Sequence, residues 1–403
     1  MGAGGRLPRT LWVLGVVSLL MDTSSETIHA LLPVFLVGVL GASATALGMV
    51  EGLAEAVASF TRLASGRLAD RLPRRKPLVL AGYGLAALAK PLFALAGGVG
   101  AVLVARVLDR IGKGIRGAPR DALIADLVPE ALRGRAYGLR QALDTVGVVL
   151  GPLAASALML LVAGDVRRVY LFAVVPAILS VAVLARFVRE PQRTVAGVPA
   201  ARPSWRADLA RLPGTFWLVL AAAGIGLVAR LVEAFLILRL YELGLAAAVS
   251  PLVLVAMNLV YAACAYPFGA LADRLPRAAL LALAFGLLIG ADLMLALAPG
   301  IAVAFAGVAL YGLHLAASQG LLAAMVADAA PAELRGTAFG LYHFTVGIAS
   351  LVAGLVAGVG WDGAGPTATF LLAAALALVA LLLALAAGPR PPAGASGGAA
   401  GQA

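Results

Sequence analysis

Ser18, Asp22, Ser25, Glu26 and His29 recur at helical spacing near the start of the chain. The interval from 22 to 26 to 29, four then three residues, puts both carboxylates and the imidazole on one face of a helix. Carboxylates can take up and release protons. The same stripe is also a partial oxygen-and-imidazole ligand set for a divalent cation, with too few fixed ligands on one helix to hold it alone. Arg106, Arg110 and Lys113 repeat the four-then-three rhythm. Asp22 and Glu26 are therefore expected to face Arg106 and Arg110. A carboxylate beside arginine keeps its charge, and the same carboxylate moved away or desolvated takes a proton. Asp144, one turn from Arg140, is a second proton-coupling candidate, and Glu51 with Glu55 is a third. Each pair could instead be a static ion pair that fixes helix packing.

The elements that position these groups must be membrane helices. The chain has 403 residues, of which 62% are hydrophobic and 13% charged, and its mean hydropathy is +1.00. Soluble domains run at roughly 45–50% apolar and 25% charged. A soluble enzyme and a disordered chain are excluded. The net charge of +11 would suggest nucleic acid in a soluble protein, but the basic residues cluster at the ends of apolar segments. They read as orientation in a bilayer, with no nucleic-acid partner. Cys264 is the one cysteine, so no internal disulfide can form. No metal site of the Cys/His type and no resident cofactor is expected, and no serine elbow, HExxH helix or phosphate loop marks an enzyme.

A crossing helix needs about 20 apolar residues. Proline, glycine and arginine divide the chain into segments near 11–40, 44–66, 77–97, 99–120, 134–164 and 168–188, then near 213–242, 247–270, 278–298, 300–326, 336–360 and 366–388. These are spans 1 to 12. The apolar run after Arg6 and Arg9 has no cleavage pattern and reads as a retained first span. At 1.5 Å per residue, Asp22 and Glu26 lie about 16 and 22 Å along span 1 and Arg106, Arg110 and Lys113 about 9, 15 and 20 Å along span 4. An ionisable group at such depths needs a partner or a cavity.

The expected organisation is a cytoplasmic N-terminus over 1–10, a six-helix bundle over 11–188, a cytoplasmic linker over 189–212, a second six-helix bundle over 213–388 and a disordered cytoplasmic tail over 389–403. Sorted by segment ends, 21 of the 31 Lys and Arg fall on one side, Arg116 and Arg120 among them, against three on the other. The positive-inside rule makes the richer side cytoplasmic, with both termini there. An inner or plasma membrane location and a monomer are expected.

The two sets are copies. Ala69-Asp70-Arg71-Leu72-Pro73-Arg74 recurs as Ala272-Asp273-Arg274-Leu275-Pro276-Arg277, and the stretch from Ala125-Asp126 to Arg140 matches that from Ala327-Asp328 to Tyr342 at nine of sixteen positions. Parallel repeats of this kind are a transporter pattern, with the solute site between them near the midplane. Asp70 and Asp273 could pair with basic residues at neighbouring helix ends only when the cytoplasmic side is shut. The expected latch comprises Gly66, Asp70, Arg71, Arg74 and Asp126, with Gly269, Asp273, Arg274, Arg277 and Asp328 as its copy.

On these residues the chain resembles the major facilitator superfamily. The loop from Gly66 to Arg75 is similar to that family's cytoplasmic motif and is repeated from Gly269, with Pro73 and Pro276 where the family usually has glycine. Span 5, with Gly138, Gly147, Gly151-Pro152 and Ala155-Ser156, looks like the antiporter motif of proton-driven exporters. Arg106 stands where the family has a buried arginine, although Asp109-Arg110 replaces the expected Gln-Gly. The run from Asp109 to Arg116 is similar to a prokaryotic branch of unassigned substrate. The resemblance implies an all-α membrane protein of twelve helices in two pseudo-symmetric bundles, working by alternating access with spans 1, 4, 7 and 10 around the cavity. It also implies proton-coupled antiport that exports a small molecule.

Several readings stay beside that one. The excess of buried cations, Arg106, Arg110, Lys113, Arg140 and Arg230, would suit symport of an anionic solute. A divalent-metal transporter, using His29 with Asp22 and Glu26, and a non-transporting membrane receptor are further readings. The second half is poorer in buried charge (Arg230, Glu233, Asp292) and is expected to read solute shape through Asn258, Tyr311, His314 and Gln319, with Tyr261, Tyr342 and Phe344 near them.

Overall fold

The computed structural model describes residues 7–129, 132–190, 209–272, 275–318, 321–331 and 334–386, without the side chains of Asp70, Arg71, Ala272, Ala278, Ala323, Ala327 and Gly336. Most of the expected linker, the tail, Asp273, Arg274 and Gln319 lie outside the described residues, as do the side chains of Asp70 and Arg71.

The described chain is a bundle of long helices. Span 1 is Arg9–His29 and continues through a π-helical stretch, Val34–Val39. Spans 2 to 6 are Ala44–Arg71, Lys76–Leu95, Val99–Leu127, Arg133–Leu161 and Val166–Phe187. Span 7 is broken: Gly214–Ala229 ends at Arg230, Leu231 has a φ of 25°, and the helix resumes as Ala234–Glu242. Spans 8 and 9 are Leu252–Ala272 and Arg277–Leu297, and span 10 comprises Ile301–Ser318 and Leu321–Ala329. The helix Arg335–Ala386 is bent at Gly365, whose φ of 83° only glycine adopts without strain. Its arms are spans 11 and 12.

By length and apolarity alone, nine stretches of the described residues qualify as crossings, one holding both arms of Arg335–Ala386. Spans 2 and 4 complete the twelve. Their charged residues lower their hydropathy, and those residues face protein instead of lipid: Glu51 in span 2 is buried, as are Arg106, Asp109, Arg110, Arg116 and Arg120 in span 4. This corrects the expected end of span 4 near residue 120. The helix runs to Leu127, and Arg116 and Arg120 are buried inside the first bundle, where they cannot act as cytoplasmic orientation charges.

In the first half span 1 packs on spans 5 and 6, span 3 on 4 and 6, and span 2 on 4. In the second, span 9 packs on 10, span 8 on 10, and spans 7 and 9 on the pair 11 and 12. The halves meet where span 2 lies along span 11 and span 5 along span 8. The seam between spans 2 and 11 is tight because both helices present glycine: a methyl group on Gly48 or Gly354 would overlap the other's backbone, and one on Gly52 would sit 2.8 Å from the Ser350 carbonyl oxygen. The carboxylate of Asp362 accepts from the Ala44 N–H at 2.9 Å and the Thr45 N–H at 2.8 Å. It thereby satisfies free donors at the start of span 2, where a negative charge is favoured. Nearby, Trp361 donates its indole N–H to Glu242 at 2.9 Å and its ring packs on Phe235. The molecule is shut at this end.

Candidate functional site: a central cavity flanked by a buried charge network

The opposite end is hollow. A cavity of about 1110 Å³ lies between the halves, bordered by Glu55, Ser59 and Arg62 on one side and by Arg230, Glu233 and Asn258 on the other. It reaches Gly66 and Arg67, at the end of span 2 that carries the repeated loop. A side pocket of about 300 Å³ shares Glu55, Ser59 and Arg62 with it and runs into the first half past Asp22, Glu26, Lys113 and Asp144.

The carboxylates and cations pair differently from the expected facing. Arg106 does not meet Asp22 or Glu26. One of its terminal nitrogens donates to Glu51 Oε2 at 2.8 Å and to His29 Nδ1 at 2.7 Å. Arg110 lies 3.5 Å from Glu55. Asp22 is opposite Arg116, one and a half turns further along span 4, at 3.8 Å. The reason is register: spans 1 and 2 both present acids to span 4, and span 2, in direct contact with it, takes the outer arginines. Glu26 has no ion pair within 4 Å among the described residues and borders the side pocket near Lys113.

Two further groups complete the inner network. Lys90, wholly buried in span 3, donates to Asp109 at 2.6 Å and to Ser25 at 2.8 Å. Asp109 also lies 3.8 Å from Arg106 and 3.9 Å from Arg110. Lys90, Arg106 and Arg110 thus balance Asp109, Glu51 and Glu55, which satisfies the requirement that buried charges be paired. Lys90 carried a signal in the sequence, since a lone cation inside an apolar segment must find a carboxylate.

On span 5, Arg140 meets Asp144 at 2.6 Å, and Arg120 approaches the same carboxylate at 3.9 Å. Gly147 lies 2.8 Å from the Leu19 carbonyl oxygen and Gly151 2.6 Å from Glu26 Cβ, measured from the Cβ each would carry. Span 5 therefore rests on span 1 at Asp22 and Glu26, and Thr27 donates to the Gly151 carbonyl at 3.1 Å. Gly138 has open space around it. The close packing beside Asp144 is therefore on the Gly147 side.

In the second half Asn258 borders the cavity. Tyr311 and His314 do not belong to its wall. Tyr311 is buried and donates to the Arg230 carbonyl at 2.6 Å, bracing the break in span 7, and His314 Nδ1 bonds the Ala284 carbonyl at 2.8 Å. Of the residues expected near them, Tyr261 and Tyr342 line the cavity and Phe344 does not, and Glu233 and His343 face it as well. The latch is also different. Asp126 pairs with Arg75 and Asp328 with Arg277, two ion pairs related by one offset of 202 residues. Each lies within one half and is formed while the cavity end is open, so these pairs tie helix ends inside a bundle and do not bridge the halves. Arg74 is exposed and Gly269 has open space around it. Glu190 receives the Arg75 and Lys76 N–H groups and caps span 3. Among the described residues, no group of three His, Cys, Asp or Glu could hold a metal ion, and His29 is engaged by Arg106 and Glu51.

Two matched six-helix bundles around a polar cavity that is shut at one end define a secondary membrane transporter. The family model of the Major Facilitator Superfamily matches residues 14–319 and 218–403. An uncharacterized MFS-type transporter of Methanocaldococcus jannaschii is 31% identical over 391 residues, covering 94% of this chain and 95% of the relative. The multidrug resistance protein MdtH of Proteus mirabilis is 33% identical over 121 residues, 30% of either chain. The fold is shared with a POT family transporter solved with 5-aminolevulinic acid, at a TM-score of 0.79 and 13% identity over 96% of this chain and 97% of that one. The chain belongs to the Major Facilitator Superfamily.

Proposed function

We propose that this transporter is a proton-coupled antiporter that exports a small molecule and that the conformation described is the one open to the cytoplasm. The observation that carries this reading is the seating of span 5 on span 1: Gly147 and Gly151 lie directly on Asp22 and Glu26, so a shift of span 5 moves the environment of both acids. Asp22 and Asp144 border the same side pocket among Arg116, Arg120 and Arg140. A carboxylate in such a place holds its charge while the arginines are near and gains a proton when they withdraw. The partial likeness to a multidrug resistance protein agrees with export. The end holding the cavity carries the basic repeated loops, which the positive-inside rule assigns to the cytoplasm together with both termini.

The test is flux in proteoliposomes under imposed pH gradients of either sign, with ethidium as a cationic probe and carboxyfluorescein as an anionic one. Asp22→Asn and Asp144→Asn should each remove gradient-driven flux at least tenfold while the protein still inserts. Unchanged proton-driven flux in both variants sinks the assignment. A second reading, symport of an anionic solute, is favoured by Lys113 and Arg230, which border the cavities without a carboxylate within 4 Å among the described residues. It requires carboxyfluorescein to move in the direction of the proton gradient.

A further inference from the structure

Span 7 carries two opposite charges that do not meet. Arg230 ends the helix Gly214–Ala229 and Glu233 starts the helix Ala234–Glu242, and both side chains border the central cavity. Neither has a partner of opposite charge within 4 Å among the described residues, although Glu233 is within electrostatic reach of Arg230. On the facing wall the charges are matched: Glu55 lies 3.5 Å from Arg110, and Arg62 lies 3.6 Å from Asp121. Arg67 stands at the mouth, at the end of span 2. In the depth of the cavity, Arg230 and Glu233 are therefore the charges that its wall leaves for a solute.

The break explains how both stay charged while apart. A helix C-terminus favours a cation and a helix N-terminus an anion. Arg230 follows the last residue of one helix, and Glu233 precedes the first residue of the next. The Glu233 carboxylate makes no capping hydrogen bond to its own helix, so its oxygens are not spent there. Between the two, the Tyr311 hydroxyl holds the carbonyl oxygens of Arg230 and Leu231 at 2.6 and 3.2 Å. The charges thus sit three residues apart on a braced backbone, and a site fixed before binding loses less on ordering. Around them the wall offers apolar and aromatic surface from Leu227, Leu315, Tyr261 and Tyr342. The volume of about 1110 Å³ is ample for a small organic molecule.

We propose that the break in span 7 is the head-group site for a zwitterionic solute: Arg230 takes its anionic group, Glu233 takes its ammonium, and the tyrosines and leucines receive its apolar body. The guanidinium presents parallel donors that match a carboxylate, and the Glu233 carboxylate accepts from an ammonium. A purely cationic solute leaves Arg230 without a partner, and a purely anionic one leaves Glu233 without one. Wall charges stranded in this way are what make a site reject the wrong analogue. This reading takes the cavity as the solute site of the exporter proposed above and adds the class of solute. It is indifferent to which acid carries the proton.

The experiment is equilibrium binding to the protein in lipid nanodiscs at pH 6, with no gradient. The probe is Nε-dansyl-lysine, read by its fluorescence, which keeps a free ammonium and a free carboxylate. Its carboxamide keeps only the positive charge, and its Nα-acetyl form only the negative one. The zwitterion should bind about tenfold or more tightly than either blocked form, as expected when a wall charge loses its partner. Arg230→Gln should remove the preference over the carboxamide, and Glu233→Gln the preference over the acetyl form, each leaving the other preference in place. Arg230→Lys and Glu233→Asp keep the charges and should keep both preferences. Equal binding of the three forms by the unsubstituted protein overturns the proposal, as does the absence of zwitterion binding at millimolar concentration. Preferences that survive both neutral substitutions overturn it too. Because no gradient is imposed, these outcomes bear on the class of solute alone, whereas the flux assay on Asp22→Asn and Asp144→Asn bears on coupling.

Discussion

Lys90 and Asp109 form a deeply buried ion pair in the first half, with 0% and 2% of their surface exposed. Removing one partner of such a pair leaves an uncompensated charge and costs about 3–5 kcal/mol. The two sides are not equivalent. Lys90→Met leaves Asp109 with Arg106 and Arg110 still within 4 Å, whereas Asp109→Leu leaves three buried cations with two carboxylates. Asp109→Leu should therefore lower the thermal midpoint of detergent-solubilised protein markedly more than Lys90→Met, followed by tryptophan fluorescence. Equal losses would show that the two arginines do not share the Asp109 charge. Residue types and depths were legible in the sequence here, because charges inside apolar segments announce themselves. Partners were not. The faces of spans 1, 2 and 4 are each readable from spacing, but which acid meets which arginine depends on the rotation of three helices about their axes, held between spans 2 and 4 by Gly114 against Ala58 and Thr61 and for span 1 by Gly147 and Gly151 of span 5.

Between elements the controlling contacts are backbone on backbone. Spans 2 and 11 approach through Gly48 and Gly354, and no larger residue fits at either position. Gly354→Val should hold the shut end apart, lengthening the distance between spin labels placed across it at the exposed positions Val39 and Gly363 (Val39→Cys and Gly363→Cys, with Cys264→Ser as background). A short distance in Gly354→Val would mean that the seam closes by another route. Span 5 uses the same device on span 1. Its motif could be read from the sequence, but the empty surroundings of Gly138 could not, because a glycine required for close packing and a glycine in open space look alike in sequence. The break in span 7 was also hidden, since Ala-Arg-Leu-Val-Glu carries neither proline nor glycine to mark it. A tertiary contact braces it: the Tyr311 hydroxyl donates to the Arg230 carbonyl oxygen at 2.6 Å and lies 3.2 Å from that of Leu231.

At the scale of the whole molecule, twelve segments and a duplication were readable because charged, proline and glycine residues recur at one spacing in an apolar background. The conformational state was not readable, since both states of an alternating transporter must be written in one sequence. The structure shows where the balance is held. Each half is tied internally at the hollow end by its own ion pair, Arg75 with Asp126 and Arg277 with Asp328, while the shut end is fastened across the halves by Asp362. Charge-assisted bonds of this kind contribute about 1.5–3 kcal/mol each at most. Asp362→Asn keeps an acceptor and loses the charge, and should raise the population with the long label distance across the shut end about tenfold. No change there would mean that the glycine seam alone holds the end shut. Asp362 engages the peptide N–H groups of Ala44 and Thr45 and also the side chains of Thr45 and Ser43. Half of this clasp survives any substitution at positions 44 and 45 other than proline, because its donors are backbone, while the hydroxyls at 43 and 45 leave the other half open to tuning from the span 2 side.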